Sequence, residues 1–387
     1  MRLTNRTLRQ MDSPIGANNH LIDRVPAATP LLNLSQGAPG FPPAPEVAAR
    51  LSEVAQAEDG ARYAPLFGLP ELREAFAAEV RAVYGGDVSA DDICVTSGCN
   101  QAFCMVASAL AEPGDAVMLT LPYYFNHDMW LGLDGVTAQH LVPGDGLEPT
   151  VAEAEALLTP ATRALVLVTP GNPTGHTITA DRLAAFADLA VRRDIVLIVD
   201  ETYRSFVPGG GAPHALFERP EWREHVVSLH SFSKDLAIPG HRVGAVIGHP
   251  DLLREVAKLI DCVTICAPRA GQEAALAGLT RAQEWRAGKV AEIAAKQERF
   301  EAVMAARPGG FELLSAGAYY GWVRHPFPDE PSDALVQRMV LEQGVLVIPG
   351  TAFMPFDEQL LRFSFANVEL DRIDELGPRL SALAASS

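Results

Sequence analysis

Residues 164–200 read ALVLVTPGNPTGHTITADRLAAFADLAVRRDIVLIVD. Two apolar runs, Ala164–Val168 and Ile195–Val199, flank a segment with helical spacing, Leu183–Val191. The second run is rich in β-branched residues and does not alternate with polar ones. That is the pattern of a strand buried on both faces, which parallel sheets require. Strand, helix and strand in succession predict a crossover unit and an α/β fold.

The same alternation extends in both directions. Glu71–Tyr84 carries Leu72, Phe76, Val80 and Val83 on one stripe and is predicted helical. Ile93–Thr96 is a short strand followed by a helical pattern over Asn100–Leu110, and Ala116–Leu119, Val226–Leu229 and Gly244–Ile247 are further strands. The expectation is a large domain with a mostly parallel, doubly wound sheet flanked by helices. In such sheets the site lies at the carboxyl ends of the strands. Arg269 to about Met304 is helical and charged and is expected to link to a smaller α+β domain. The strands of that domain fall near Tyr319–Val323, Val345–Ile348 and Leu361–Phe365. The first 40 or so residues, with Pro and Gly throughout, read as irregular. The expected division is an N-terminal segment 1–45 packing on the small domain and the active site, a large domain 46–280 and a small domain 281–387.

Composition narrows the function. The 387 residues carry a formal charge of −17, which argues against nucleic acid as a partner. Five cysteines do not make a disulfide framework, and the five-residue spacing of Cys94, Cys99 and Cys104 matches no common zinc pattern, so no metal is expected. No apolar run approaches the ~18 residues of a membrane span. The opening stretch MRLTNRTLRQMDSPIG lacks an apolar secretory core, so the expected compartment is the cytoplasm. Gly209–Gly211 reads as a flexible turn, and no P-loop or GxGxxG is present.

Four polar features fall where predicted strands end. Asp200 directly follows IVLIV, where a carboxylate is costly unless paired; alone it could be an N-cap or a structural salt bridge. Ser231-Phe232-Ser233-Lys234 follows VVSL, and a lysine among apolar residues can serve as an amine nucleophile. Gly240-His241-Arg242-Val243-Gly244 sets an arginine between glycines, able to approach a phosphate closely. Thr169–Gly175 contains Asn-Pro-Thr-Gly, by itself a turn signature.

In this order and spacing, the four features resemble the fold-type I pyridoxal 5′-phosphate (PLP) enzymes of the class I/II aminotransferase family. Further similar elements are SQGAPGFPPAP at 35–45, RYAPLFGLPELREA at 62–75, PGTAF at 349–353 and LRFSFA at 361–366, so the likeness covers about residues 30–375. The resemblance implies roles residue by residue. Lys234 would bind PLP as a Schiff base and then move the proton between the substrate Cα and the cofactor C4′. Asp200 would pair with the pyridine nitrogen, and Tyr203 and Asn172 with the phenolic oxygen. Ser231, Arg242 and the amides of Gly98, Cys99 and Asn100, at a helix start, would hold the phosphate; Ser233 would shape that loop. Tyr124 would stack on the ring, with Tyr123 as its competitor. Arg362 would clamp the substrate α-carboxylate, with Gly37 letting the backbone close over it. Tyr63 would reach the phosphate of a second subunit in a homodimer with shared sites. Cys99 departs from the residue usual there, and the segment Tyr124–Trp130 is unusual. Asn126, His127 and Asp128 are expected to be exposed polar groups of a helix start, with contact to the substrate side chain as the alternative.

The implied reaction moves an amino group from an L-amino acid to a 2-oxo acid in two half-reactions, by way of pyridoxamine phosphate. The same constellation serves lyases, cyclising synthases and oxidases, so these stand as alternatives. The Phe- and Tyr-rich segments 123–130 and 319–322 favour an apolar or aromatic substrate side chain, or else belong to the core.

Overall fold

The structure, a computed structural model, describes residues 1–26, 29–144, 146–207 and 211–385. Apart from Gly211, the glycine turn read at 209–211 lies outside them. A short strand β1 (Leu32–Asn33) precedes the central sheet. That sheet contains β2 (Ile93–Thr96), β3 (Ala116–Thr120), β4 (Thr137–Leu141), β5 (Thr162–Val168), β6 (Val196–Asp200), β7 (Val226–Ser231) and β8 (Gly244–Ile247). Their order is β2-β8-β7-β6-β5-β3-β4. All pairings are parallel except those of β8, which runs antiparallel to both β2 and β7.

The uninterrupted apolar run sits where its composition requires, at the middle of the sheet. Leu197, Ile198, Val199 and Asp200 are all buried. Each fully buried aliphatic side chain contributes about 1.5–3 kcal/mol of apolar burial, so this strand has little freedom to slip register. The helix Pro70–Tyr84 begins with proline at its first turn and stops at Gly85, whose φ is +74°. Leu72, Phe76 and Val80 are buried as the stripe predicts, but Tyr84 rather than Val83 completes it.

A second sheet joins β9 (Glu312–Gly317), β10 (Tyr320–Arg324), β12 (Ile348–Pro349) and β13 (Leu360–Ser364) in the order β12-β13-β10-β9, all antiparallel; β11 (Val345–Leu346) pairs instead with β1 in parallel. Its own apolar cluster includes Phe300, Phe311, Leu335 and Phe363. The charged helical stretch after Arg269 is two helices, Arg269–Arg281 and Gln283–Ala305, broken at Ala282.

The first 40 residues are irregular only in part. Helices Asn5–Leu8 and Pro14–Ile22 lie there, the second capped by Ser13, whose hydroxyl accepts from the Gly16 amide. Ser-Pro is a helix-start signal, outweighed in the sequence reading by the prolines and glycines around it. Among the described residues, no helix is long and apolar enough to cross a membrane.

Candidate active site

The topology brings the four polar features to one edge. Parallel strands end together, so Thr169 after β5, Asp200 at the end of β6 and Ser231 at the end of β7 emerge side by side. Val168 pairs with Asp200 across the sheet. Strand β8 runs the other way, so its beginning lies at this edge; Gly244 pairs with both Ser231 and Thr96. Arg242, two residues earlier, is thereby delivered to the same place as Gly98, two residues after Thr96. A cavity of about 210 Å³ opens there. Lys234, Asp200, Asn172, Tyr203, Ser231, Ser233, Arg242, Cys99, Asn100, Tyr124, Gly37 and Arg362 all line it. Gly98 adjoins it through Arg242.

Lys234 extends into this cavity and donates through Nζ to the Gly37 carbonyl at 2.6 Å. Burial, together with the positive charges of Arg362 and Arg242, brings its ammonium down to about 8. Asp200 is 3% exposed. Burial pushes its carboxyl up, but the hydrogen bond and charge of His127 and the Thr202 amide outweigh this and hold it below the usual carboxylate range. His127 Nε2 lies 3.3 Å from Asp200 Oδ2, the Thr202 amide donates to Oδ1 at 3.0 Å, and the Cys99 thiol reaches Oδ1 at 3.6 Å. A buried, ionised carboxylate thus lines the cavity.

The groups expected to hold a phosphate meet in the same cavity. The helix Cys99–Leu110 points its amino end at the cavity, behind Gly98 with φ +89°. A Cβ at Gly98 would strike the Arg242 guanidinium. Arg242 itself has φ +48°, a left-handed conformation uncommon for a non-glycine residue. Its Nη1 donates to the Pro239 carbonyl at 2.9 Å and its Nη2 to the Ser97 carbonyl at 3.4 Å. Among the described residues, the buried hydroxyls of Ser97 and Ser233 have no partner. The Ser231 hydroxyl accepts from the Ser233 amide at 3.2 Å.

The second sheet supplies the remaining wall. Arg362, in β13, is 1% exposed. Its Nη1 donates to Asn172 Oδ1 at 2.8 Å and its Nη2 to the Ser35 carbonyl, while Nε has no partner among the described residues. Tyr203 hydrogen-bonds Tyr320 through their hydroxyls.

Tyr124, not Tyr123, lines the cavity, and its hydroxyl donates to Asn100 Oδ1 at 3.2 Å. Tyr63 is not brought to the cavity of its own chain; it is 74% exposed on the surface. The expectation of exposed polar groups after Tyr124 is overturned. Within the helix Phe125–Asp134, His127 is buried and stacks on Phe103 with centroids 3.9 Å apart. Asp128 pairs with His140 at 2.7 Å, and Asn126 accepts from Asn100 at 3.2 Å. A histidine three residues beyond Tyr124 shares its helical face, and that spacing was the available signal. Ile15 also lines the cavity and was not singled out; Tyr320 and Gln36 line it too and were read only as parts of the segments 319–322 and 35–45. Tyr320 was open to discovery, because alternation along β10 sets it and Trp322 on one face.

The sequence pattern of the aminotransferase class I and II family matches residues 29–380. The chain belongs to that family. An aspartate/prephenate aminotransferase of Thermus thermophilus is 31% identical over 350 residues, covering 88% of this chain and 87% of that protein. An aromatic aminotransferase of Arabidopsis thaliana is 29% identical over 335 residues, covering 83% and 82%. Among solved structures, the aspartate aminotransferase from Thermus thermophilus with maleate superposes with a TM-score of 0.89 at 27% identity, covering 99% of this chain and 100% of that one. The N-succinyldiaminopimelate aminotransferase of Mycobacterium tuberculosis gives 0.90 at 26% identity, covering 99% and 100%. This chain is an aminotransferase of the α/β class, acting on amino acids and 2-oxo acids, in a family that uses PLP. Lyase, cyclase and oxidase chemistry are not favoured by these likenesses.

Proposed function

We propose that this aminotransferase holds pyridoxal 5′-phosphate in the cavity around Lys234. One observation carries this reading: a lysine amine with a depressed pKa lines the same cavity as a buried, ionised Asp200, a helix amino end and the Ser233 hydroxyl, which has no partner among the described residues. That donor set fits a flat phosphate ester with a basic ring nitrogen. Asp200 suits the nitrogen, Tyr124 the ring face, and Tyr203 and Asn172 the ring oxygen. Ser231, Ser233, Arg242 and the amides of Gly98, Cys99 and Asn100 suit the phosphate.

When bound, the cofactor supplies an electron-accepting ring that draws charge from the substrate α-carbon. Around it the chain does the rest. Lys234 attaches the group covalently, and its amine then takes and returns the proton at the α-carbon. Asp200 keeps the ring nitrogen protonated. Arg362 orients the substrate carboxylate through its free Nε, and Gly37 brings its backbone carbonyl close over the same space.

The substrate side chain in this reading is neutral and apolar or aromatic. Ile15, Tyr124, Phe125 and Tyr320 line the cavity, and its three lining cations, Lys234, Arg242 and Arg362, already have roles. The exposed Tyr63, which shares a surface cleft with Ser97, Thr264 and Cys266, supports a homodimer in which Tyr63 serves the neighbouring subunit. The same reading keeps the division at 45/46 and 280/281, with the second sheet and its apolar cluster as the small domain.

The test is absorbance with PLP followed by borohydride reduction and peptide mapping. Label on Lys234 supports the reading; cofactor uptake with Lys234 unlabelled overturns it. A screen of amino donors should then place aromatic and aliphatic amino acids ahead of aspartate.

A further inference from the structure

Tyr320 opens β10 and is 1% exposed, yet it lines the catalytic cavity. Three contacts meet on this one side chain. Its hydroxyl bonds that of Tyr203. The Arg362 guanidinium lies 4.7 Å from its ring centroid, within the range of a cation–π attraction. The backbone at Gly37 presses so closely on the hydroxyl that any Cβ there would collide with it; the Gly37 carbonyl is the acceptor of Lys234.

Two buried hydroxyls bring two protons to one hydrogen bond. One proton lies between the oxygens; the other must find a different acceptor. If Tyr203 donated to Tyr320, its proton would be consumed and it could offer the cavity only a lone pair. If Tyr320 donates, the Tyr203 proton is free to point at a third oxygen. The more acidic hydroxyl donates, and the surroundings decide which that is. The charged and titratable groups acting on Tyr320 are Arg362, Tyr203 and Asp200; burial raises its hydroxyl, but Arg362 pulls it back. Tyr203 is raised further, by burial first and then by Tyr320, with Arg362 a weaker influence. Lys234 Nζ lies 5.9 Å from the Tyr203 ring centroid, on the cavity side.

We infer that Tyr320 is a positioning residue: it donates its proton to Tyr203, directing the Tyr203 proton at the ring oxygen of the cofactor, while its ring face holds Arg362 for the substrate carboxylate. This rests on the cofactor reading above. A donor that itself receives a hydrogen bond is strengthened, so Tyr203 stabilises an anionic ring oxygen better with Tyr320 beneath it. That stabilisation favours the deprotonated form of the lysine-linked cofactor.

The experiment titrates the absorbance of the bound cofactor against pH in the wild type, Tyr320→Phe and Tyr320→Leu, with KM for the amino donor measured on each. Tyr320→Phe keeps the ring and loses the proton. Its titration midpoint should rise by roughly half a unit, as expected for one lost hydrogen bond, with KM within about twofold. Tyr320→Leu loses the ring as well, and its KM should rise about tenfold. A Phe midpoint that stays put or falls overturns the inference, as does a KM raised equally in both variants. A wild type that shows no cofactor band overturns the cofactor reading itself, which separates the two failures.

Discussion

His127 Nε2 stands 3.3 Å from Asp200 Oδ2, with the imidazole stacked on Phe103 at 3.9 Å between centroids. The histidine therefore does for Asp200 what bulk water does for an exposed carboxylate. Replacing it with phenylalanine keeps the stack and removes the donor. A hydrogen bond to a buried charge is worth about 1.5–3 kcal/mol, so His127→Phe should lower kcat tenfold to hundredfold while the protein stays folded. Steady-state kinetics and circular dichroism check this; an unchanged kcat would show that Cys99 and Thr202 suffice for Asp200.

Lys234 sets a second expectation. Only the neutral amine attacks the cofactor aldehyde. An ordinary lysine reaches that form near ~10.4, whereas burial and the charges of Arg362 and Arg242 bring Lys234 to about 8. The rate at which cofactor-free protein captures PLP should therefore rise with pH to a midpoint near about 8. Stopped-flow absorbance measures it, with Lys234→Ala as the control that captures nothing covalently. A midpoint above ~10 would mean that the cavity leaves this amine unperturbed.

The legibility of the chain in its sequence follows from the range of its interactions. Ile195–Val199 announced a central strand because burial on both faces leaves a local mark. Asp200, Asn172, Lys234 and Arg242 were legible because strand ends place polar residues where packing does not want them. His127 was not. Its partner is 73 positions away in the chain, and a histidine near a helix start reads as solvated until something is seen to cover it. Tyr320 was half legible: the aromatic segment 319–322 reads as substrate-facing or core, and Tyr320 is both buried and on the cavity wall. The helix Pro14–Ile22, which brings Ile15 to the cavity, was lost because prolines and glycines around it resemble a loop.

Arg362 carries the third expectation. Nη1 and Nη2 each give one N–H, to Asn172 and to the Ser35 carbonyl, which leaves each a second N–H, and Nε is buried without a partner among the described residues. A buried donor of this kind is costly unless something arrives to accept from it, and a substrate carboxylate is the acceptor that fits. Lysine cannot reproduce the fork. Arg362→Lys should lower kcat/KM by about tenfold to hundredfold, the worth of one charged hydrogen bond, with most of the loss in KM. A change below about twofold would remove Arg362 from substrate binding.

Glu79 and Arg204 test how the lysine loop is supported from behind. Glu79 pairs with Arg204 and, at 2.7 Å, with Arg286; Arg286 in turn reaches Asp235, the neighbour of Lys234, at 3.0 Å. Burial pushes the Glu79 carboxyl up, but the Arg286 hydrogen bond and the Arg204 charge outweigh it and bring it to about 2. Unfolded, the same carboxyl titrates near ~4.3, so as pH falls the unfolded chain takes up the proton first. The stabilisation is complete above ~4.3 and is lost as pH falls toward about 2. Glu79→Gln should flatten that part of the acid-stability profile. It should also cost about 3–5 kcal/mol at neutral pH, because Arg204 is left buried beside an amide. Denaturant titrations at pH 7 and pH 3 measure both effects. An acid profile parallel to the wild type would show that Glu79 is not the carboxylate whose protonation loosens the fold.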